Sequence, residues 1–210
     1  MLDRTTQILD KTIKYRANGD NTQSFTRPFI LHQLGVHCRS SPLVVDEQPE
    51  FADAKKAPPY LDADPTILFA GDRAPEAPAL RVIARAGSVV QDPEETSLFQ
   101  TYIPTQHTAV VFAHAADEEQ LNVIMLAIHT VPKGAIQVAV VLPKETTSAG
   151  PQTVEGADLV VVDTLGHAAK AYPPAAKGFQ VFVIRPDGVV GAIVKGGEGV
   201  KKYIEGVFVQ

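Results

Sequence analysis

Sulfur is nearly missing from this chain of 210 residues, which has one cysteine, Cys38, and two methionines. A lone thiol excludes a disulfide framework and any Cys-x-x-Cys redox or zinc motif. No apolar run approaches the roughly 20 residues of a membrane-spanning helix, and the opening MLDRTTQILDK lacks the apolar stretch of a secretory signal. The chain therefore reads as cytoplasmic, with no membrane partner. Basic charge is short as well: 19 Lys and Arg against 24 Asp and Glu leave a net charge of −5. Only residues 1–40 are positive, with six basic and three acidic groups, which is too sparse to grip a polyanion. Nucleic acid is not an expected partner. No Gly-Lys-Ser/Thr phosphate loop and no Gly-x-Ser-x-Gly elbow occurs. Gly196-Gly197-Glu198-Gly199 has neither the spacing nor the downstream acid of a dinucleotide fingerprint.

What is present is apolar residue in quantity, 45% of the chain, and enough to build a core. Residues 1–40 carry helical periodicity: Leu2, Leu9 and Ile13 fall near one face, Asp3 is a candidate cap, and Asn18-Gly19 is a stop. A second short helix is predicted from Pro28 to Gly35. Residues 41–66, with Pro42, Pro49, Pro58, Pro59 and Pro65, read as an irregular connector holding one short strand at Leu43–Val45. From Ile67 the pattern alternates between strands and helices. Strands are predicted at Ala109–Ala113, Ile136–Leu142 and Leu159–Val162. Phe179–Ile184 and Val189–Val194 flank the turn Arg185-Pro186-Asp187-Gly188 and read as a hairpin. Asp117 and Gln120 make a capping-box pattern before the apolar stripe Leu121, Ile124, Met125 and Ile128. Short helices are expected at Leu165–Ala171 and Gly197–Glu205. The division is an N-terminal helical and proline-rich region, residues 1–60, and an α/β domain, residues 61–210, with a mixed sheet and helices on both faces.

Three stretches carry a resemblance. ILFAGDRAPEAP (67–78), EETSLFQTYIPTQHTAVVFA (94–113) and FQVFVIRPDGVVGAIV (179–194) are similar to the C-terminal domain of flavin-dependent phenol hydroxylases. HQLGVHCRSSPLVVDE (32–47) resembles the segment that joins the flavin body to that domain, where the family usually has Tyr in place of Cys38. The resemblance spans residues 28–210. It implies a thioredoxin-like mixed sheet with flanking helices, preceded here by an N-terminal helical extension. The flavin domain itself has no counterpart in this sequence, so no cofactor is expected. Thiol chemistry is not implied either, since Ala113-His114-Ala115-Ala116-Asp117 occupies the family fold's redox corner without sulfur.

Stand-alone relatives of this tail occur in fungal polyketide pathways. The resemblance therefore implies a cofactor-free enzyme that closes a ring on an aromatic small molecule, with intramolecular hydroalkoxylation of a prenylated phenol as one case. Such a reaction needs orientation and a group that titrates near neutrality. The candidate catalytic residues are His32, His37 and Tyr15, and the candidate substrate-binding residues are Arg16 and His114. His32 and His37, five apart around Gly35, do not have metal-ligand spacing, so no metal is expected. His107 and His114 bracket a central strand, and His114 stands at its carboxyl edge, where open α/β sheets place ligands. Asp72, Arg73 and Asp187 read as structural. The competing expectation is a non-catalytic homodimerisation module, with Val181–Val194 and Val207-Phe208-Val209 as its apolar surface.

Overall fold

Runs rich in Val and Ile, with few polar interruptions, suit strands covered on both faces. Such runs form the centre of the sheet. The structure is a computed structural model and describes residues 35–59, 67–113, 118–144, 153–173 and 179–208. In chain order the elements are β1 (Val45–Asp46), α1 (Phe51–Ala54), β2 (Leu80–Arg85), β3 (Ser88–Val89), β4 (Glu95–Thr96), α2 (Leu98–Thr101) and β5 (His107–Phe112). They continue with α3 (Glu118–Ile128), β6 (Ile136–Pro143), β7 (Leu159–Asp163), α4 (His167–Ala171), β8 (Gln180–Ile184), β9 (Val190–Val194) and α5 (Gly197–Phe208). One mixed sheet takes in every strand, in the order β1-β9-β8-β5-β6-β7-β2-β3, with β4 also on β2. β5, β6 and β7 run parallel, while β8 and β2 run antiparallel to their inner neighbours.

Side chains alternate between two buried layers. Ala109, Val111, Val138 and Val140 meet Ile124, Met125 and Ile128 of α3 and Val200, Tyr203 and Ile204 of α5. Val110, Phe112, Val141 and Phe182 face the other way, onto Phe51, Phe69, Leu98, Ala168 and Tyr172. The expected stripe of α3 is therefore its inward face, with Leu121 half-buried at its margin. The expected hairpin forms: Gly188 takes φ +76°, and Asp187 Oδ1 accepts the Val189 N–H at 3.2 Å.

Several expectations shift. The first strand is Val45–Asp46, displaced from Leu43–Val45 because Val44 is drawn into the core while Leu43 stays exposed. α4 starts at His167 rather than Leu165, since Gly166 at φ +74° is left-handed and cannot continue a helix backwards. α5 runs to Phe208, three residues past the expected end. The strands β2, β3 and β4 and the helices α1 and α2 were not expected. The proline-rich connector contributes an edge strand of the sheet and, through Val44 and Phe51, part of the second layer. The apolar surface expected from Val181 to Val194 does not exist, because all residues of β8 and β9 are buried between the helices and the second layer. Val207 and Phe208 are half-buried against the first layer. Tyr15, Arg16, His32, His114, the Asp117 cap and Val209 lie outside the described residues, as do both expected N-terminal helices.

Candidate functional site

The outer edge of β9 anchors the site. Gly71 donates its N–H to Val190 O (2.7 Å) and accepts the Cys38 N–H (2.8 Å), so residues 37–39 hang on the sheet through one glycine. Asp72 O accepts the Val190 N–H and Ala74 donates to Gly188 O, continuing the ladder around the hairpin turn. Gly71 has φ +98°, and a Cβ there would stand 2.5 Å from the Arg39 backbone nitrogen. Only glycine meets both conditions. The loop is also braced from β1: the Asp46 carboxylate accepts the Ala70 N–H at 2.7 Å and the Gln48 N–H at 2.8 Å. Burial raises the Asp46 pKa against the pull of those donors.

Arg39 meets Asp72 in a two-pronged ion pair, Nε to Oδ1 at 2.6 Å and Nη2 to Oδ2 at 2.9 Å. Both side chains are largely buried, at 6% and 14% exposure. Asp72 Oδ2 also accepts the Phe69 N–H at 2.9 Å, and the Arg39 guanidinium lies 4.8 Å from the centre of the Phe69 ring. The Phe51 ring is 6.2 Å beyond. Charge, aromatic faces and peptide dipoles converge here.

His37 stands beside this pair. It is only 6% exposed, and its backbone N–H donates to Pro59 O at 3.1 Å. Neither ring nitrogen has a hydrogen-bond partner among the described residues. The ring's pKa is lowered, first by burial and then by the Arg39 charge; Asp72 and the nearby Pro58 carbonyl oppose this. At neutral pH the imidazole is therefore uncharged, with one nitrogen able to accept a proton and the other able to donate one. A buried polar group left without a partner is uncommon, and it costs about 1–3 kcal/mol in stability.

Of the candidate catalytic and substrate-binding residues, His37 is the one the structure describes. It is not brought to the carboxyl edge where His114 is expected. Ala113 leaves β5 at that edge, donating to Val141 O. Residues 37–39 attach at the level of Val190, which pairs with Ile184 and, through it, with Thr108 at the opposite end of β5. A strand of six residues is about 20 Å long, and two strands also intervene. Arg39 was not expected in the site, and Asp72 was expected only to order its loop. Their pairing across 33 positions leaves no local signal.

Cys38 is half-buried, with Sγ 3.4 Å from Gly71 O. Burial raises its thiol pKa, against the opposing pull of Arg185. It sits at the hairpin-turn end of the sheet, away from the β5–α3 junction. Among the described residues, no three His, Cys, Asp or Glu are grouped to hold a metal ion, and no helix is long and apolar enough to cross a membrane.

No protein-family model matches the chain, and no curated protein matches it at a significant level. Solved structures are similar in fold. The thioredoxin domain of a thiol-disulfide oxidoreductase from Bacteroides vulgatus aligns over 69% of this chain and 100% of its own, with 13% identity and a TM-score of 0.50. A putative thiol:disulfide interchange protein from Chlorobium tepidum aligns over 66% of this chain and 96% of its own, with 19% identity and a TM-score of 0.47. The flavin-dependent monooxygenase PieE, solved with FAD and substrate, aligns over 83% of this chain but only 24% of its own, with 17% identity and a TM-score of 0.48. The chain has a thioredoxin-like fold.

Proposed function

We propose that the chain is a cofactor-independent ring-closing enzyme that acts on a prenylated phenol of the aromatic-polyketide type by intramolecular hydroalkoxylation. The observation that carries this reading is the buried His37 ring beside Arg39, its pKa lowered by burial and neither of its nitrogens hydrogen-bonded among the described residues. One ring nitrogen takes the phenol proton while the other gives its proton to the nearer alkene carbon. The phenol oxygen bonds to the carbon left electron-poor, and the imidazole ends neutral with its tautomer exchanged. No atom is lost, so the product is an isomer of the substrate. Positioned proton transfer contributes about 10²–10⁴ in rate, and orientation of the two reacting groups adds to it. The resemblance to the phenol-hydroxylase tail supports the choice of a phenol.

Incubation with prenylated phenols should give a product of unchanged mass and one dominant enantiomer, and His37→Gln should reduce turnover at least about 100-fold. Undiminished turnover in that variant would remove His37 from the chemistry. The second reading is a homodimerisation module. It is favoured by Val123 and Leu126, exposed at 46% and 70% one turn apart on α3. A stable dimer in solution with no product from any prenylated phenol would select it.

A further inference from the structure

We propose that two copies of the chain pair through the outward face of α3, antiparallel about a two-fold axis at Leu126. This inference rests on the reading that the chain self-associates and adds the surface and its register; it stands whether or not the chain also closes a ring. A helix lying on a sheet normally turns charge toward solvent along the face opposite its core stripe. α3 does not follow that pattern. Ile124, Met125 and Ile128 point inward, and the opposite face carries Glu119, Asn122, Val123 and Leu126, spaced as one side of a helix requires. Val123 and Leu126 are large, apolar and exposed. From Gln120 to Pro132 the chain has no Asp, Glu, Lys or Arg. α5 starts flush against this helix, since a Cβ at Gly197 would stand 2.6 Å from Val123 Cγ1. It turns Glu198, Lys201, Lys202 and Glu205 outward, and this polar rim bounds the apolar strip on that side.

Charge selects a second copy as the occupant. Glu119 lies seven residues before Leu126, and Lys133 lies seven after it. Both are exposed, and neither forms an ion pair among the described residues. A two-fold axis at Leu126 sets each residue before it against the one equally far after it in the other copy. Glu119 then faces Lys133 on both sides of the axis, Asn122 faces the exposed Thr130, and Leu126 packs on its own counterpart. With the two helices pointing the same way, Glu119 would instead meet Glu119, and like charges repel. Seven residues of helix span about 10 Å, so the charged pairs flank the apolar contact, where they stay hydrated. The chain thus carries both halves of the match, as an isologous interface requires. One helix face per copy is at the small end of specific interfaces, so this dimer forms and dissociates with concentration.

The test is sedimentation equilibrium of the full chain over a range of concentrations, with a thermal melt of each variant as the check on folding. The unaltered chain should dimerise. Leu126→Glu places two like charges on the axis and should weaken the dimer at least about 100-fold. Leu126 is 70% exposed, so its melt at low concentration should be unchanged. Glu119→Lys and Lys133→Glu should each weaken the dimer about tenfold at low salt, and the double reversal should restore it. Recovery in the double variant is a readout that damage to the fold cannot imitate. A chain that stays monomeric at every concentration overturns both this inference and the self-association reading, and leaves the strip to a different protein. A dimer that Leu126→Glu leaves intact keeps that reading and overturns this surface. A dimer that the double reversal fails to restore overturns the antiparallel register.

Discussion

Two histidines give the folded chain a built-in sensitivity to acid. His37 is held uncharged by burial and the Arg39 guanidinium. His107, edge-on to the Tyr203 and Phe208 rings at 6.0 and 4.9 Å, is held uncharged by burial and then by Arg185. In the unfolded chain each takes up a proton near 6.5. Below that pH the unfolded state binds protons the folded state refuses, so stability falls as pH drops from 6.5 toward the lower folded values. Above 6.5 these groups contribute no slope. Melting temperature measured from pH 7.5 to 5.5 should fall in the lower half of that range, and His37→Gln and His107→Gln should each flatten the decline. Gly71→Ala should cost more than about 2 kcal/mol in a denaturant titration, because it adds both a left-handed alanine and a Cβ in contact with Arg39. At this scale the sequence showed His37 as a titratable group of interest. It did not show that Asp72 reaches back to Arg39, because that pair exists only once Gly71 has brought two loops onto one strand edge.

Elements were most legible where the apolar pattern was continuous. β5 to β9 and the two long helices follow directly from Val-rich runs and a helical stripe, because burial on both sides leaves few other choices. β2 was missed although its residues alternate between buried and exposed, as a half-covered strand should. Its turn is the reason. Arg85 pairs with Ser88 across Ala86-Gly87, and both turn residues have positive φ, +45° and +77°. That geometry normally calls for Asn or Asp at the first position, so the sequence carried no hairpin signal. Ala86→Gly should therefore stabilise the chain by about 0.5–1 kcal/mol, read as a higher denaturant midpoint at unchanged slope. The long C-terminal helix has a distant support as well: Glu47 accepts the Lys195 N–H at 2.7 Å, just before the helix starts. Glu47→Ala should cost about 1 kcal/mol by removing a negative charge from the positive end of the helix dipole.

For the whole molecule, the fold places the sole thiol away from the β5–α3 junction. The relatives in fold include thiol-disulfide oxidoreductases, but here the sole thiol is half-buried at the hairpin-turn end of the sheet, hydrogen-bonded to a carbonyl and raised in pKa. Cys38 should react with a disulfide reagent at pH 8 more slowly than a free cysteine does. The sheet has one more property at this scale. On one side β9 is covered by β1 and by residues 71–74; on the other, β2 is covered by β3 and β4. Every one of these edge strands is two residues long. Two residues cannot template an incoming chain, and the long strands behind them have no free backbone to offer. The molecule is thus shielded from strand-by-strand growth into fibrils, and its crowded, proline-studded margins are part of that protection.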